Sequence, residues 1–333
     1  MPATFCLDDN FDETLAFLAR LRSHLLDDAM LRQLSPNASP AKDSTQRPAR
    51  LRSYIDFGDM RRITTTAALI MAALYHRKKF ITGRRLWTVD EQRWKPEVVD
   101  MLLQVGFKEL LQMKERKGSV VQRGATKTLQ FLSGELADGP SVGKLQQSLL
   151  ELLSSDEQEQ LLDIQPYGGI FEAILNSHEH AYPNDQAWDH APLKCWWITG
   201  SVDSEKGLVT VVAYDQGISI PASLPRWEHF GRVRRLMGRL AVRAGLKQDL
   251  DSPTYDGVAI RLAMVIARSS TGLAHRGKGL NTLLEVAQRA SWGRLRVLSR
   301  NGEFVWTTGQ RSQTRSHAQS IGGTLVEWQL RLR

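Results

Sequence analysis

Cysteine is nearly absent: Cys6 and Cys195 are the two in 333 residues. Two thiols are too few for a disulfide scaffold or a cysteine-rich zinc site, and they fit a reducing, cytoplasmic setting. Long apolar runs are missing too. The most apolar stretch, residues 64–75, falls far short of the roughly 18–20 residues that cross a bilayer, so no membrane span is expected. The opening residues, MPATFCLDDNFDE, show no basic segment followed by an apolar one, and no secretory leader is expected from them. No repeat recurs at a fixed period. Neither disorder throughout nor a collagen-like chain fits, because hydrophobic residues make up 42% and charged residues 24%, as in ordinary globular proteins.

The length suggests about two domains, at roughly 100–200 residues each. The net charge of +8 admits nucleic acid, acidic lipid, nucleotide phosphate or an acidic protein as partner, without choosing among them. Four stretches are expected along the chain: a helix and linker over 1–50, a small α/β domain over 51–118, a helical connector over 119–160 and a second α/β domain over 161–333. Leu15, Leu18, Leu21, Leu25 and Leu26 place a helix over 12–34. Residues 35–50, SPNASPAKDSTQRPAR, lack apolar periodicity and read as a linker. In the small domain, residues 53–57 and 80–82 suit strands. Residues 64–76 suit a buried helix, and 96–105 a second one closed by Gly106. Such an alternation implies a layered sheet with helices on it.

Four later segments carry residues of chemical interest. In FEAILNSHEHAY, Glu172, Asn176 and His180 stand at i, i+4 and i+8 of a helix and share one face. The Asn carbonyl oxygen is a hard ligand for Mg²⁺, and the Glu carboxylate can polarise a water beside it. A β-rich run then ends in Asp215, with Gly217 two residues on. An Asp at a strand end can accept from an exocyclic amine such as that of adenine, and a neighbouring Gly lets a ring approach the backbone. In HRGKGLN, Gly277 and Gly279 flank Lys278 just before a helix. Free N–H groups and a lysine at a helix start suit a polyphosphate, although the spacing is not that of a P-loop. The fourth segment is a Gly-turned strand with Thr324, whose hydroxyl could lie near a bound base. Taken alone, the first segment reads equally well as ordinary structure and the others read better that way; their order carries more.

Glu-x₃-Asn, Asp-x-Gly, Gly-x-Gly-Leu and Gly-Thr, in that order, resemble the GHKL (Bergerat-fold) ATP-binding family, which includes gyrase, histidine-kinase catalytic domains and serine-kinase anti-sigma factors. The resemblance covers residues 167–330, and EAILN with the trailing HAY is particularly similar to the anti-sigma kinase version of the first motif. It implies ATP and Mg²⁺ as cofactors and an α/β sandwich, a mixed sheet with helices on one face. It further implies that Glu172 activates the attacking water or hydroxyl and Asn176 coordinates Mg²⁺. Asp215 would bind the adenine amine in a pocket shaped by Gly217, with Thr324 supporting it. Gly277, Lys278 and Gly279, with Leu280 after them, would hold the phosphates. Ser219 departs from the family, which has a second glycine there. No phospho-acceptor histidine helix precedes the first motif, which argues against a sensor histidine kinase. Residues 54–59, YIDFGD, followed by the small-residue helix 64–73, resemble a STAS domain, the fold on which anti-sigma kinases act.

Between residues 221 and 276 lies a basic segment containing RWEHFGRVRRLMGRLAVR. Phe230, Val233, Leu236, Met237 and Leu240 recur at helical spacing, with most arginines elsewhere. A solvated helix with a buried stripe, in the place of the family's ATP lid, ranks first. A phosphate-sensing or partner-binding lid follows, then a nucleic-acid or membrane surface. The overall expectation is a cytoplasmic Mg-ATP-binding protein, a slow ATPase that switches a protein partner, with a homodimer open. The alternatives are an anti-sigma-type serine/threonine kinase acting on a STAS-like domain and a nucleotide-gated module without turnover. Nucleic acid as a specific target ranks last.

Overall fold

The computed structural model describes residues 1–34, 55–83, 86–113, 125–226, 230–243, 252–269 and 279–332. The linker expected over 35–50, and residues 51–54, which include Tyr54 of the YIDFGD segment, lie outside the described residues. The chain divides into two units, Met1–Arg123 with Trp188–Ala191, and Gly124–Ala187 with Pro192–Arg333. No helix among the described residues is long and apolar enough to cross a membrane.

The first unit is mainly helical. Strand β1 (Thr4–Phe5) leads into helix α1 (Phe11–Leu34), and β2 (Arg62–Ile63) into α2 (Thr65–Thr82). β1 and β2 pair in parallel, Thr4 opposite Arg62 and Phe5 opposite Ile63. The α2 sequence TTAALIMAALY is small and apolar on every side, and Thr65 to Tyr75 are all buried, as befits a central helix. Its start is capped by Thr64, and Gly83 ends it at φ 58°. Pro96 opens α3 (Pro96–Val105), and Gly106 closes it at φ 113° before α4 (Phe107–Leu111). Phe57 packs edge-on against Trp94 at 4.9 Å and Phe107 at 6.4 Å. Residues Trp188–Ala191 join this unit because the buried Arg77 donates to the main-chain oxygens of His190 and Ala191 at 3.0 and 3.1 Å.

The strands expected here are displaced. Phe80–Thr82 form the last turn of α2, where Thr82 Oγ1 donates to the Lys78 carbonyl at 2.8 Å. The helix ladder therefore continues until Gly83 supplies a left-handed stop. Around residue 55 there is a single parallel bridge, Ile55 to Thr88. The described sheet of this unit is the β1–β2 pair, so the expected alternation of strands and helices is not what these residues build.

The second unit is α/β. Its strands are β3 (Thr126–Thr128), β4 (Leu132–Gly134), β5 (Trp196–Asp203), β6 (Leu208–Asp215), β7 (Trp292–Ser299), β8 (Gly302–Thr307), β9 (Gln313–Ser316) and β10 (Thr324–Arg331). They form one eight-stranded sheet in the order β3-β5-β6-β10-β7-β8-β9, with β4 also on β5. Its helices are α5 (Gly139–Leu150), α6 (Ser155–Ile164), α7 (Pro166–Asn176), the short α8 (Ile220–Ser223), α9 (Phe230–Arg243), α10 (Asp256–Ser269) and α11 (Gly279–Arg289). The segment expected to be helical from 119 therefore begins, among its described residues, with β3 and β4, which pair with β5 before α5 starts at an Asp138 cap.

A mixed sheet was expected; every neighbouring pair in this sheet is antiparallel. The reason is topological. The chain leaves β6, passes through α8 to α11 and returns as β7 in the same direction as β6, as a crossover does. The gap between them is filled by β10, which runs opposite to both. Trp196, Ile198, Val209, Val211, Leu295, Val297, Val326 and Trp328 project from the sheet into one core with residues of α5, α7, α10 and α11. Each such side chain, fully buried, contributes about 1.5–3 kcal/mol. The intervening residues Trp197, Val212, Tyr214, Leu298 and Leu325 are buried as well. Burial on both faces explains why β6, LVTVVAYD, reads as a nearly continuous apolar run rather than an alternating one.

Candidate functional site

Helix α7 places Ile170 and Ile174 in the core. Glu172 and Asn176 therefore emerge on the opposite face, one turn apart. The Asn176 Nδ2 group donates to the Glu172 main-chain oxygen at 2.8 Å and to its Oε1 at 3.1 Å. A carbonyl can only accept, so the amide nitrogen must face α7, and the Asn176 Oδ1 is left directed away from it. Burial pushes the Glu172 carboxyl up, opposed by the Asn176 hydrogen bond and reinforced by Glu179. After Asn176 the helix widens into a π-type turn over Ser177–Ala181. His180 follows in that turn with an exposed side chain, 3.8 Å from Glu179.

Asp215 ends β6 opposite Thr324 of β10. Its Oδ1 accepts from the Gly217 N–H at 2.8 Å. Burial lifts its pKa to about 7, even though the N–H groups of Gly217 and Thr324 pull the other way. A Cβ on Gly217 would lie 2.3 Å from the Ala181 carbonyl oxygen, so only glycine permits this approach of the β6 end to the α7 extension. The Thr324 hydroxyl shares a 2.8 Å hydrogen bond with Ser299, and Ser299 also accepts from the Ile220 N–H at 2.7 Å. Tyr182 braces the same end: it donates to the Cys195 carbonyl at 2.7 Å and accepts from the Gln216 N–H at 2.9 Å.

Gly279 is the first residue of α11 and lies directly against Glu172: a Cβ there would sit 1.7 Å from Oε1. Any larger residue would displace the carboxylate from the helix start.

These elements enclose a cavity of about 780 Å³, a size typical of small-molecule sites. Glu172, Asn176, His180, Asp215, Gly279, Leu280 and Thr324 all line it. Gly217 does not; it packs behind the wall, against Ala181. Gly277 and Lys278 lie outside the described residues. Four residues of this neighbourhood were not singled out from the sequence: Ser177 and Arg226 in the lining, Ser299 and the bracing Tyr182 behind it. Tyr182 was visible only as the end of the HAY triplet. Arg226, held by Asp185 at 3.2 Å, is the first arginine of the basic segment. Nothing in local sequence distinguishes Ser177 or Ser299.

The described residues hold no group of three or more His, Cys, Asp or Glu side chains arranged for a metal ion. A divalent ion here would rest on Asn176 Oδ1 and on oxygens of a ligand, the manner in which Mg²⁺ joins phosphates while keeping most of its waters.

The basic segment forms α9, whose Val233 and Met237 pack on Ala259, Ala263 and Ile266 of α10. Arg232, Arg234, Arg235 and Arg239 are exposed. Compared with known proteins, the chain matches no family model, no curated protein and no solved structure.

Proposed function

We propose that the second unit binds Mg-ATP as a GHKL-type α/β sandwich and hydrolyses it slowly, switching the surface presented to a protein partner. One observation carries this reading. Residues from four segments far apart in the sequence, Glu172 with Asn176, Asp215, Gly279 with Leu280, and Thr324, line one cavity. Its two ends differ as a nucleotide would require. The Asp215 end is an enclosed acceptor that suits an exocyclic amine. The Glu172 end lies against Gly279 at the start of α11, where the helix dipole favours an anion.

In hydrolysis, water would attack the γ-phosphorus in line, its proton passing to Glu172, while the bond from that phosphorus to the β,γ-bridging oxygen breaks and ADP departs with the electron pair. A carboxyl whose pKa is raised by burial is a stronger proton acceptor than an ordinary one. Asn176 would hold Mg²⁺, which neutralises phosphate charge when bound. The kinase alternative draws its support from the EAILN-HAY resemblance alone. The first unit's described sheet is limited to β1 and β2, so the STAS-like reading of 51–118 adds little to it.

Calorimetric titration of the full-length protein with Mg-ATP tests the proposal. Saturable heat at micromolar to low-millimolar nucleotide is expected. Absence of binding at millimolar nucleotide would end it.

A further inference from the structure

Between Gly217 and α8 the chain passes through Ser219 at φ 84°, ψ 160°. That region is essentially reserved for glycine, because a Cβ collides with the flanking backbone. A serine here works against its own backbone. It stands at the N-cap of α8, where a serine hydroxyl ordinarily accepts from the helix start, yet it makes no such bond. Ser219 is 5% exposed, and its Oγ has no hydrogen-bond partner among the described residues. The Ser177 Oγ, on a residue 4% exposed, shares that condition. Both residues line the one cavity. Buried hydroxyls without partners are uncommon, and each asks for a reason. Two of them in one cavity wall point to a ligand that supplies the missing partners.

The chain around Ser219 fixes which end of the cavity it serves. Ile220 N–H donates to Ser299, Ser299 bonds the Thr324 hydroxyl, and Thr324 pairs across the sheet with Asp215. Ser219 thus belongs to the Asp215 end, while Ser177 follows Asn176 directly at the α7 end.

We propose that the Ser219 hydroxyl is a recognition group of this cavity, hydrogen-bonding the base end of the bound nucleotide, with Ser177 as a second such hydroxyl further along the wall. Residue 219 is a serine, against its backbone, because the ligand uses the hydroxyl. The inference rests on the nucleotide reading above and adds to it a contact that Asp215 does not make.

Glycine fits the backbone at 219 better than serine does, so Ser219→Gly separates folding from recognition. The full-length wild type, Ser219→Gly and Ser219→Ala are compared by thermal melting and by calorimetric titration with ADP and Mg²⁺. We expect both variants to melt at or above the wild-type temperature while their ADP affinity falls at least three-fold. A loss smaller than three-fold in both variants overturns the role of the hydroxyl and leaves the nucleotide reading standing. Failure of the wild type itself to bind ADP or ATP overturns both.

Discussion

The cavity has two walls of different construction. On the sheet side, Asp215 is held by main-chain N–H groups of Gly217 and Thr324, and the strand ends behind it are tied by Tyr182 and Ser299. On the helix side, Glu172 is held by one side chain, Asn176, and by the closeness of Gly279. Both carboxyls are shifted upward by burial. Their supports differ: a backbone donor cannot move without disturbing the sheet, whereas an amide side chain can turn. A rigid acceptor suits recognition, and a carboxylate free to exchange partners suits proton transfer. Removing Glu172 should therefore separate the two walls most sharply. For Glu172→Ala we expect ATP turnover to drop by about 10²–10³-fold, the range of a lost general base. Nucleotide affinity should stay within roughly three-fold, since the lost group acts in the transition state. Steady-state phosphate release and calorimetry read the two quantities separately, and turnover equal to the wild type would remove Glu172 from the base role.

Asp215→Asn tests the opposite wall. The amide oxygen can still accept from Gly217 and Thr324, so the fold should survive, but the charge that strengthens a bond to a ligand amine is lost. Nucleotide affinity at pH 8 should fall by roughly 10–100-fold, the size of a hydrogen bond to a charged group. Stability should move the other way. The folded-state pKa of about 7 lies above the carboxyl's ordinary value of 3.8. The unliganded protein therefore loses stability as pH rises between those values, and the loss is complete above about 7. The variant escapes it and should gain about 2–4 kcal/mol against urea at pH 8. An Asp215→Asn protein less stable than the wild type at that pH would mean that the carboxylate, and not its cost, holds the strand end.

The same carboxyl gives a smaller, continuous readout. A base amine binds the ionised form, so wild-type affinity should climb as pH rises and level off above about 7. At pH 6 only about a tenth of the sites would be ionised, and affinity should be about ten-fold below its plateau. The climb should be missing from Asp215→Asn. If it persists there, the titrating group lies elsewhere, with Glu172 the next to test.

How much of this was legible in the sequence follows the range of the interactions. The facing of Glu172 and Asn176 was legible because a helix fixes i and i+4 locally. The strand ending in Asp215 was legible because a run buried on both faces is long and apolar. The stop at Gly106 was legible for the same local reason. Phe80–Thr82 misled because a short apolar run fits either period, and the exposed Phe80 at the end of α2 has no neighbour in sequence to decide it. β3 and β4 were hidden because their pairing partner, β5, lies about 70 residues downstream. The antiparallel order depended on β10 entering between β6 and β7, which no local pattern announces. Ser219 was visible as a substitution for glycine, but its left-handed backbone and unpartnered hydroxyl belong to the folded chain alone.

Asn176 stands on the helix side of the cavity, and its removal should give the smallest effect. Its Nδ2 steadies Glu172, while its Oδ1 faces away from α7. Asn176→Ala removes both, so two losses must be told apart. If the oxygen serves a divalent ion, ATP affinity measured with Mg²⁺ should fall by about five-fold, one hydrogen-bond-sized interaction. Affinity measured in excess chelator should be unchanged. If the amide acts only by holding Glu172, both affinities should match the wild type and turnover alone should fall. Asn176→Asp sharpens the choice: a carboxylate keeps an oxygen for the ion but places a second negative charge beside Glu172, which lifts that carboxyl's pKa further. Magnesium-dependent binding should then survive while the turnover optimum moves to higher pH.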